Sequence, residues 1–322
     1  MIFLYIFIFI ISFLILFWSG SFLVGALMKI AKFLGWREFV IAFFIMAFAG
    51  SAPNIFVGIF SALHKIPQFS LGDVLGGNIV DLTLAFALAI LIGKTVLPAP
   101  SRVVQTTTIF TTIISLLPLL LISDGLLSRG DGVILLITFF VYIGWLFSKE
   151  ERFKLIYDNS KVEIVKEFKE FFKNIGKMIL ALILLMLASE GIVTSAKYFA
   201  DILNLTIPMV GILIIGLGNA LPEMYFAIRA AREEETWMVL GGLMGAVIVP
   251  ATLVLGIVAL ICPIEIVDFS PFAIGRFFLI VSTLFFLFFV RTDRRITKRE
   301  AIFLLLVYIL FVISEVINLL RG

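Results

Sequence analysis

Long apolar stretches separated by short polar ones run through this chain of 322 residues. There are about ten, each of roughly 17 to 30 residues, and a helix of that length at about 1.5 Å per residue crosses a membrane core of ~30 Å. The first stretch is longer than the apolar part of a signal peptide and has no basic segment before it, so we expect it to be retained. The pattern predicts transmembrane helices at 2–29, 39–63, 71–93, 103–123, 132–148, 177–200, 207–230, 237–261, 271–290 and 301–319.

Composition agrees with an all-α membrane protein and excludes a soluble domain. Hydrophobic residues make up 62% of the chain and charged residues 15%, with a mean hydropathy of +1.18. A soluble fold needs more polar surface than this composition supplies. The lipid bilayer is therefore the expected partner. Cys262 is the single cysteine, so no disulfide forms within one chain.

Basic residues are distributed unevenly between the two sets of loops. The loops at 29–38, 94–102, 149–177, 229–236 and 291–299 hold 20 Lys and Arg residues, and the opposite set holds 5. Because basic loops stay in the cytoplasm, this bias predicts a multi-pass protein of the cell membrane with the 149–177 loop inside. Both termini are then expected outside.

A segment of the first half recurs in the second half at an offset of 169 residues, without a gap. Ten of the 32 positions from 53 to 84 are identical at this offset. Corresponding glycine and proline interruptions in two halves are the best sequence indicator of a transporter's ion site. The main correspondences are Pro53 with Pro222, Gly72 with Gly241, Gly76 with Gly245 and Thr83 with Thr252.

The odd number of helices in each copy predicts that the two repeats are inverted. Five helices per half force the second half to enter the membrane from the opposite face. We assign residues 1–148 to the first repeat, 149–176 to a cytoplasmic linker and 177–322 to the second repeat. Alternating charges and interleaved apolar residues in the linker predict a short amphipathic helix on the membrane surface.

The repeated prolines are expected to break their helices at membrane depth. Pro53 and Pro222 lack an amide hydrogen and free a backbone carbonyl, which must find a partner. Glu223 follows the second proline, where an ionised carboxylate costs some 2.5–3.5 kcal/mol unless it is paired or solvated. Asp81 lies within the next helix of the first half, with Asn78 one turn before it. Carboxylate, amide and carbonyl oxygens are ligands of Ca²⁺ and also suit Na⁺.

These two segments resemble the alpha repeats of the calcium/cation antiporter superfamily, in its sodium/calcium exchanger branch. That family has a G-T-S-x-P-E turn in helices two and seven, each followed by a G-N-x-x-G-S-N helix. The resemblance implies ten helices as two inverted five-helix repeats. It also implies a cation site between helices 2, 3, 7 and 8.

Carried onto this chain, the family's ion-binding positions depart from the pattern in several places. Asn54 replaces the first carboxylate, whereas Glu223 keeps the second. Pro250 stands opposite Asp81 in the second half and offers no side-chain oxygen, and Gly77 and Ala246 stand where serine is frequent. The ligands that the resemblance implies are the side chains of Ser51, Asn54, Asn78, Asp81, Asn219 and Glu223 and the backbone carbonyls of Ala47 and Gly216.

The sequence favours a secondary antiporter that exchanges Na⁺ for Ca²⁺, with these ions as substrates and no permanently bound cofactor. The altered positions Asn54 and Pro250 leave open a proton-coupled or monovalent-cation exchanger, and a non-transporting cation-binding protein is a further alternative. Phosphate-binding and nucleophile motifs are not visible, so we expect no ATP coupling, no nucleic-acid partner and no enzymatic activity.

Three polar residues outside the repeat motifs receive structural interpretations. We expect His64 and Glu315 to be solvated near helix ends. Glu190 lies in the middle of helix six, where we expect it to pair with a neighbour such as Thr194.

Overall fold

The computed structural model of the protein describes residues 2–33, 50–93, 96–148, 164–203 and 205–321. Within these ranges, nine helices are long and apolar enough to cross a membrane, and a tenth apolar helix is shorter. The ten helices are α1 (Ile2–Phe33), α2 (Ala52–Leu63), α3 (Pro67–Gly93), α4 (Arg102–Leu121), α5 (Arg129–Ser148), α6 (Ile164–Leu203), α7 (Ile207–Arg232), α8 (236–261), α9 (Ala273–Thr292) and α10 (Lys298–Arg321). They confirm the all-α class predicted from the apolar pattern.

The offset of 169 residues that relates the sequences also relates the helices. Ala52–Leu63 corresponds to Leu221–Arg232, and Pro67–Val80 to Thr236–Val249, with both ends of each helix in register. A five-residue π-helical segment then widens α3 at Asp81–Ala85 and α8 at Pro250–Val254. The duplicated sequence thus folds into duplicated elements, as expected of two inverted five-helix repeats.

The turns after α2 and the matching part of α7 are also equivalent. Lys65 and Glu234 both have positive φ, at 59° and 62°. The next amide closes the turn in each copy, with Ile66 N donating to Ser61 O and Glu235 N to Ala230 O, both at 2.9 Å. This is the left-handed cap that commonly ends a helix.

The backbones of α3 and α7 cross in direct contact. A Cβ on Gly72 would lie 2.6 Å from Pro208 O, and one on Gly216 would lie 2.6 Å from Gly77 N. A Cβ on Gly76 would overlap the backbone of Ile212. Small residues at a membrane helix interface allow such close approach, which van der Waals packing then stabilises. Glycine is therefore required on both sides of this crossing.

Two short antiparallel ribbons, which the sequence analysis did not predict, connect the halves outside the helices. β1 (Leu97–Pro98) pairs with β4 (Arg295–Ile296), and β2 (Leu126–Leu127) pairs with β3 (Ile264–Glu265). Each ribbon joins a loop of the first half to a loop of the second. The first ribbon lies in the basic set of loops and the second in the opposite set, so the two ribbons lie at opposite ends of the helices.

α1 and α6 pack along each other and form a hydrophobic cluster separate from the main core, together with α2, Phe69 of α3 and the start of α7. The Tyr5 and Tyr198 rings stack with centroids 3.8 Å apart. The linker at 149–176 was expected to form a separate amphipathic helix on the membrane surface. Its described part, from Ile164 onward, is instead the first part of the continuous 40-residue helix α6. No break separates the two because the segment before 177 contains neither proline nor a run of glycines. Residues 149–163 lie outside the described ranges.

Gly76→Ala is expected to destabilise the protein by about 1–3 kcal/mol, because the added methyl group has no space at the α3–α7 crossing. The matched control is Gly144→Ala on α5, where a Cβ meets nothing within 4 Å among the described residues. That change is expected to be neutral or slightly stabilising, since alanine favours a helix over glycine. Thermal unfolding of the two purified variants in detergent measures both changes in stability. Equal unfolding temperatures for the two variants would contradict the close crossing.

Candidate functional site

Both repeated prolines lie next to a helix break. In α2 the backbone bends at Ser51 and the helix begins at Ala52, and in α7 the helix is interrupted at Ala220. Pro53 and Pro222 each stand in the first turn of the following segment, where their missing amide hydrogen is tolerated. These breaks place Asn54 and Glu223 at equivalent positions inside the apolar part of the protein.

Six of the eight predicted ligand residues have buried polar side chains with atoms that lack a hydrogen-bond partner among the described residues. None of the six is more than 7% exposed. Buried polar atoms are normally paired, so this set needs a group that supplies positive charge or hydrogen bonds. The atoms are Ser51 Oγ, Asn54 Oδ1, Asn78 Oδ1 and Nδ2, Asp81 Oδ1, Asn219 Oδ1 and Glu223 Oε2.

The other two predicted ligands are backbone carbonyls. Gly216 O accepts a hydrogen bond from Ala220 N at 3.3 Å, and it would lie 3.7 Å from a Cβ on Gly77. This carbonyl therefore faces α3 at the crossing. Ala47 lies outside the described residues.

A third buried carboxylate, on Asp73, was missed by the sequence analysis. Asp73 is 0% exposed, and Asn219 Nδ2 donates to its Oδ1 at 3.0 Å and to its Oδ2 at 3.1 Å. Its spacing would have revealed it, because residues 73, 77 and 81 follow each other at intervals of four on one face of α3.

All three carboxylates, on Asp73, Asp81 and Glu223, are buried. No ion pair of the described residues includes any of the three. Among the residues that the structure describes, no three His, Cys, Asp or Glu side chains lie close enough together to hold a metal ion by themselves. A cation bound here would need amide, hydroxyl or carbonyl oxygens in addition to the carboxylates.

A small cavity lies beside Glu223. Its volume of about 10 Å³ is close to the space that one water molecule needs. Gly50, Glu223 and Gly242 line it together with apolar side chains of α7 and α8. A Cβ on Gly50 would lie 3.1 Å from Glu223 Oε1. The Glu223 side chain, next to the break in α7, therefore lies close to the backbone at the break before α2.

Two of the remaining polar residues differ from the sequence interpretation. His64 Nε2 lies 2.9 Å from Glu190 Oε1, so the histidine joins α2 to α6 instead of being only solvated. Thr194 Oγ1 donates to the same Glu190 oxygen at 3.3 Å, which confirms the expected pairing. The expectation for Glu315 is wrong. Its side chain is fully buried, because α10 packs this position against α9 near Gly275.

Comparisons with known proteins agree with this architecture. The inner membrane protein YrbG of Escherichia coli (strain K12) is 27% identical over 286 residues, which are 86% of each chain. The sodium/calcium exchanger MaX1 of Methanosarcina acetivorans is 23% identical over 354 residues, which cover 92% of this chain and 93% of that one.

A solved structure has the same fold. It is that of the sodium-calcium exchanger NCX_Mj soaked with 2.5 mM Na⁺ and 10 mM Sr²⁺, with a TM-score of 0.68 and 23% identity. The match covers 98% of this chain and 99% of that one. The family model described as sodium/calcium exchanger protein matches residues 4–148 and 173–316. These two segments begin 169 residues apart and together span most of the sequence, and the chain belongs to the sodium/calcium exchanger protein family.

Proposed function

We propose that this transporter exchanges Na⁺ for Ca²⁺ at a central site between α2, α3, α7 and α8. The observation that carries the proposal is the group of buried oxygen atoms without partners, contributed by α2, α3 and α7. Carboxylate, amide, hydroxyl and carbonyl oxygens are the ligands that Ca²⁺ prefers. The relative MaX1 is named as a sodium/calcium exchanger, which supports the same pair of ions.

Charge balance explains why the ions can alternate at one site. Asp81 and Glu223 are both buried and form no described ion pair, so a bound cation can neutralise them. The two charges of Asp81 and Glu223 balance one Ca²⁺ or two Na⁺, and the third buried acid, Asp73, accepts hydrogen bonds from Asn219 instead. When no cation is bound, the carboxylates of Asp81 and Glu223 are buried charges without a partner, which costs free energy. The transporter therefore changes sides more readily with a cation bound, which favours exchange over one-way release.

Alternating access is assigned to the pair α1 and α6. These helices form a hydrophobic cluster apart from the main core, together with α2, Phe69 of α3 and the start of α7. Their displacement as a unit would expose the central site to one side of the membrane and then to the other.

Uptake of labelled Ca²⁺ into vesicles that contain the purified protein tests the ion pair. We expect uptake to follow an outward Na⁺ gradient and to be absent when K⁺ replaces Na⁺. Uptake driven only by a pH gradient would instead support proton coupling, which the replacement of a carboxylate by Asn54 favours. Ca²⁺ binding without uptake under any gradient would indicate a non-transporting protein.

Glu223→Gln and Asp81→Asn are each expected to reduce Na⁺-driven Ca²⁺ flux to the background of empty vesicles, because each removes one of the charges that balance the cation. The matched control is Glu315→Gln, which neutralises a buried acid on α10, a helix that contributes none of the predicted ligands. That variant is expected to keep its flux. Robust exchange by either site variant would refute the assignment.

The orientation proposed from the basic loops places both termini outside and the 149–177 loop in the cytoplasm. Two exposed positions in the opposite loop sets test it: Val267 and Asp293. In a Cys262→Ser background, Val267→Cys is expected to react with an impermeant maleimide on intact cells. Asp293→Cys is expected to react only after permeabilisation. The reverse labelling pattern would invert the orientation.

A further inference from the structure

The contact between Asp73 and Asn219 connects the two halves of the protein at the α3–α7 crossing. Asp73 is 0% exposed and Asn219 is 1% exposed. The amide nitrogen of Asn219 lies 3.0 and 3.1 Å from the two carboxylate oxygens. Neither residue forms an ion pair among the described residues.

This contact fixes the orientation of the Asn219 amide. A carboxylate only accepts hydrogen bonds, whereas an amide has one donating and one accepting end. With Asp73 ionised, the NH₂ group donates to it and Oδ1 points away, which is the arrangement in the structure. Asn219 Oδ1 is buried and has no partner among the described residues.

The corresponding place in the other half of the molecule lacks this pair. The 169-residue offset relates Asp73 to Gly242 and Asn219 to Gly50, and both of these are glycines. The small cavity beside Glu223 occupies that place. Because the duplicated helices keep their bounds without an acid and an amide there, the scaffold does not require the pair.

We propose that Asp73 is a positioning residue of the transport site, which holds the Asn219 amide so that Oδ1 serves as a cation ligand. The inference rests on the proposed function, because it assigns a ligand to the same central site. Asp73 acts through Asn219, in the way that residues behind a metal ligand orient it.

Binding of labelled Ca²⁺ to the purified protein, with Na⁺ as competitor, tests this role. Asp73→Asn is expected to raise the Ca²⁺ concentration for half-saturation by about 10- to 100-fold, as is usual when a supporting residue is lost. The maximal exchange rate in vesicles should fall less than the affinity. Asn219→Leu, which removes Oδ1 and keeps the side-chain size, should weaken Ca²⁺ binding by a similar factor.

The double variant Asp73→Asn/Asn219→Leu separates positioning from a structural role. If Asp73 acts through Asn219, the double variant should bind Ca²⁺ no more weakly than Asn219→Leu alone. Additive losses, or wild-type affinity in either single variant, would overturn the inference. If Asp73→Asn fails to fold, as judged by thermal unfolding, wild-type Ca²⁺ affinity of Asn219→Leu would still overturn the inference.

The same titration distinguishes this inference from the proposed function. Normal Ca²⁺ binding by Asp73→Asn and Asn219→Leu, with loss of flux in Glu223→Gln, would reject the inference and keep the central site. A wild-type protein that binds neither Ca²⁺ nor Na⁺ would reject both.

Discussion

The backbones of α3 and α7 meet without side chains between them, and the site depends on this close crossing. Gly72 and Gly76 on one helix contact the backbone of the other, and Gly216 does so in return. In lipid, the hydrophobic effect does not drive two helices together, so close packing must do so. The crossing brings the carbonyl of Gly216 against α3 and lets Asp73 reach Asn219. Wider residues here would separate Asp73 from Asn219 and move the Gly216 carbonyl away from α3.

The scaffold could be predicted from sequence to a large extent because its signals are local. The ten apolar stretches predict the ten helices. The two helix breaks are predicted by the repeated Pro53 and Pro222. The 169-residue offset, found in the sequence alone, extends to the ends of the helices and to the turns at Lys65 and Glu234. Backbone geometry of this kind is determined by residues a few positions apart.

The features that were missed depend on residues far apart in the chain. Asp73 meets Asn219 across 146 positions, and His64 meets Glu190 across 126. The ribbons involve two-residue strands too short to show alternation. Glu315 lies within the last helix, and only packing against α9 determines that its carboxylate is buried. Periodicity indicates which residues share a face, but not which distant face covers them.

The two ribbons have a mechanical consequence for a protein made of two opposed halves. Each joins a loop of one half to a loop of the other, one at each end of the helices. A hinge that opened at one end would have to break the strand hydrogen bonds there. The two ribbons therefore join α4 and α9, which run between these loops, to each other at both ends. Neither ribbon involves a loop next to α1 or α6, so the displacement proposed for that pair would leave both ribbons intact.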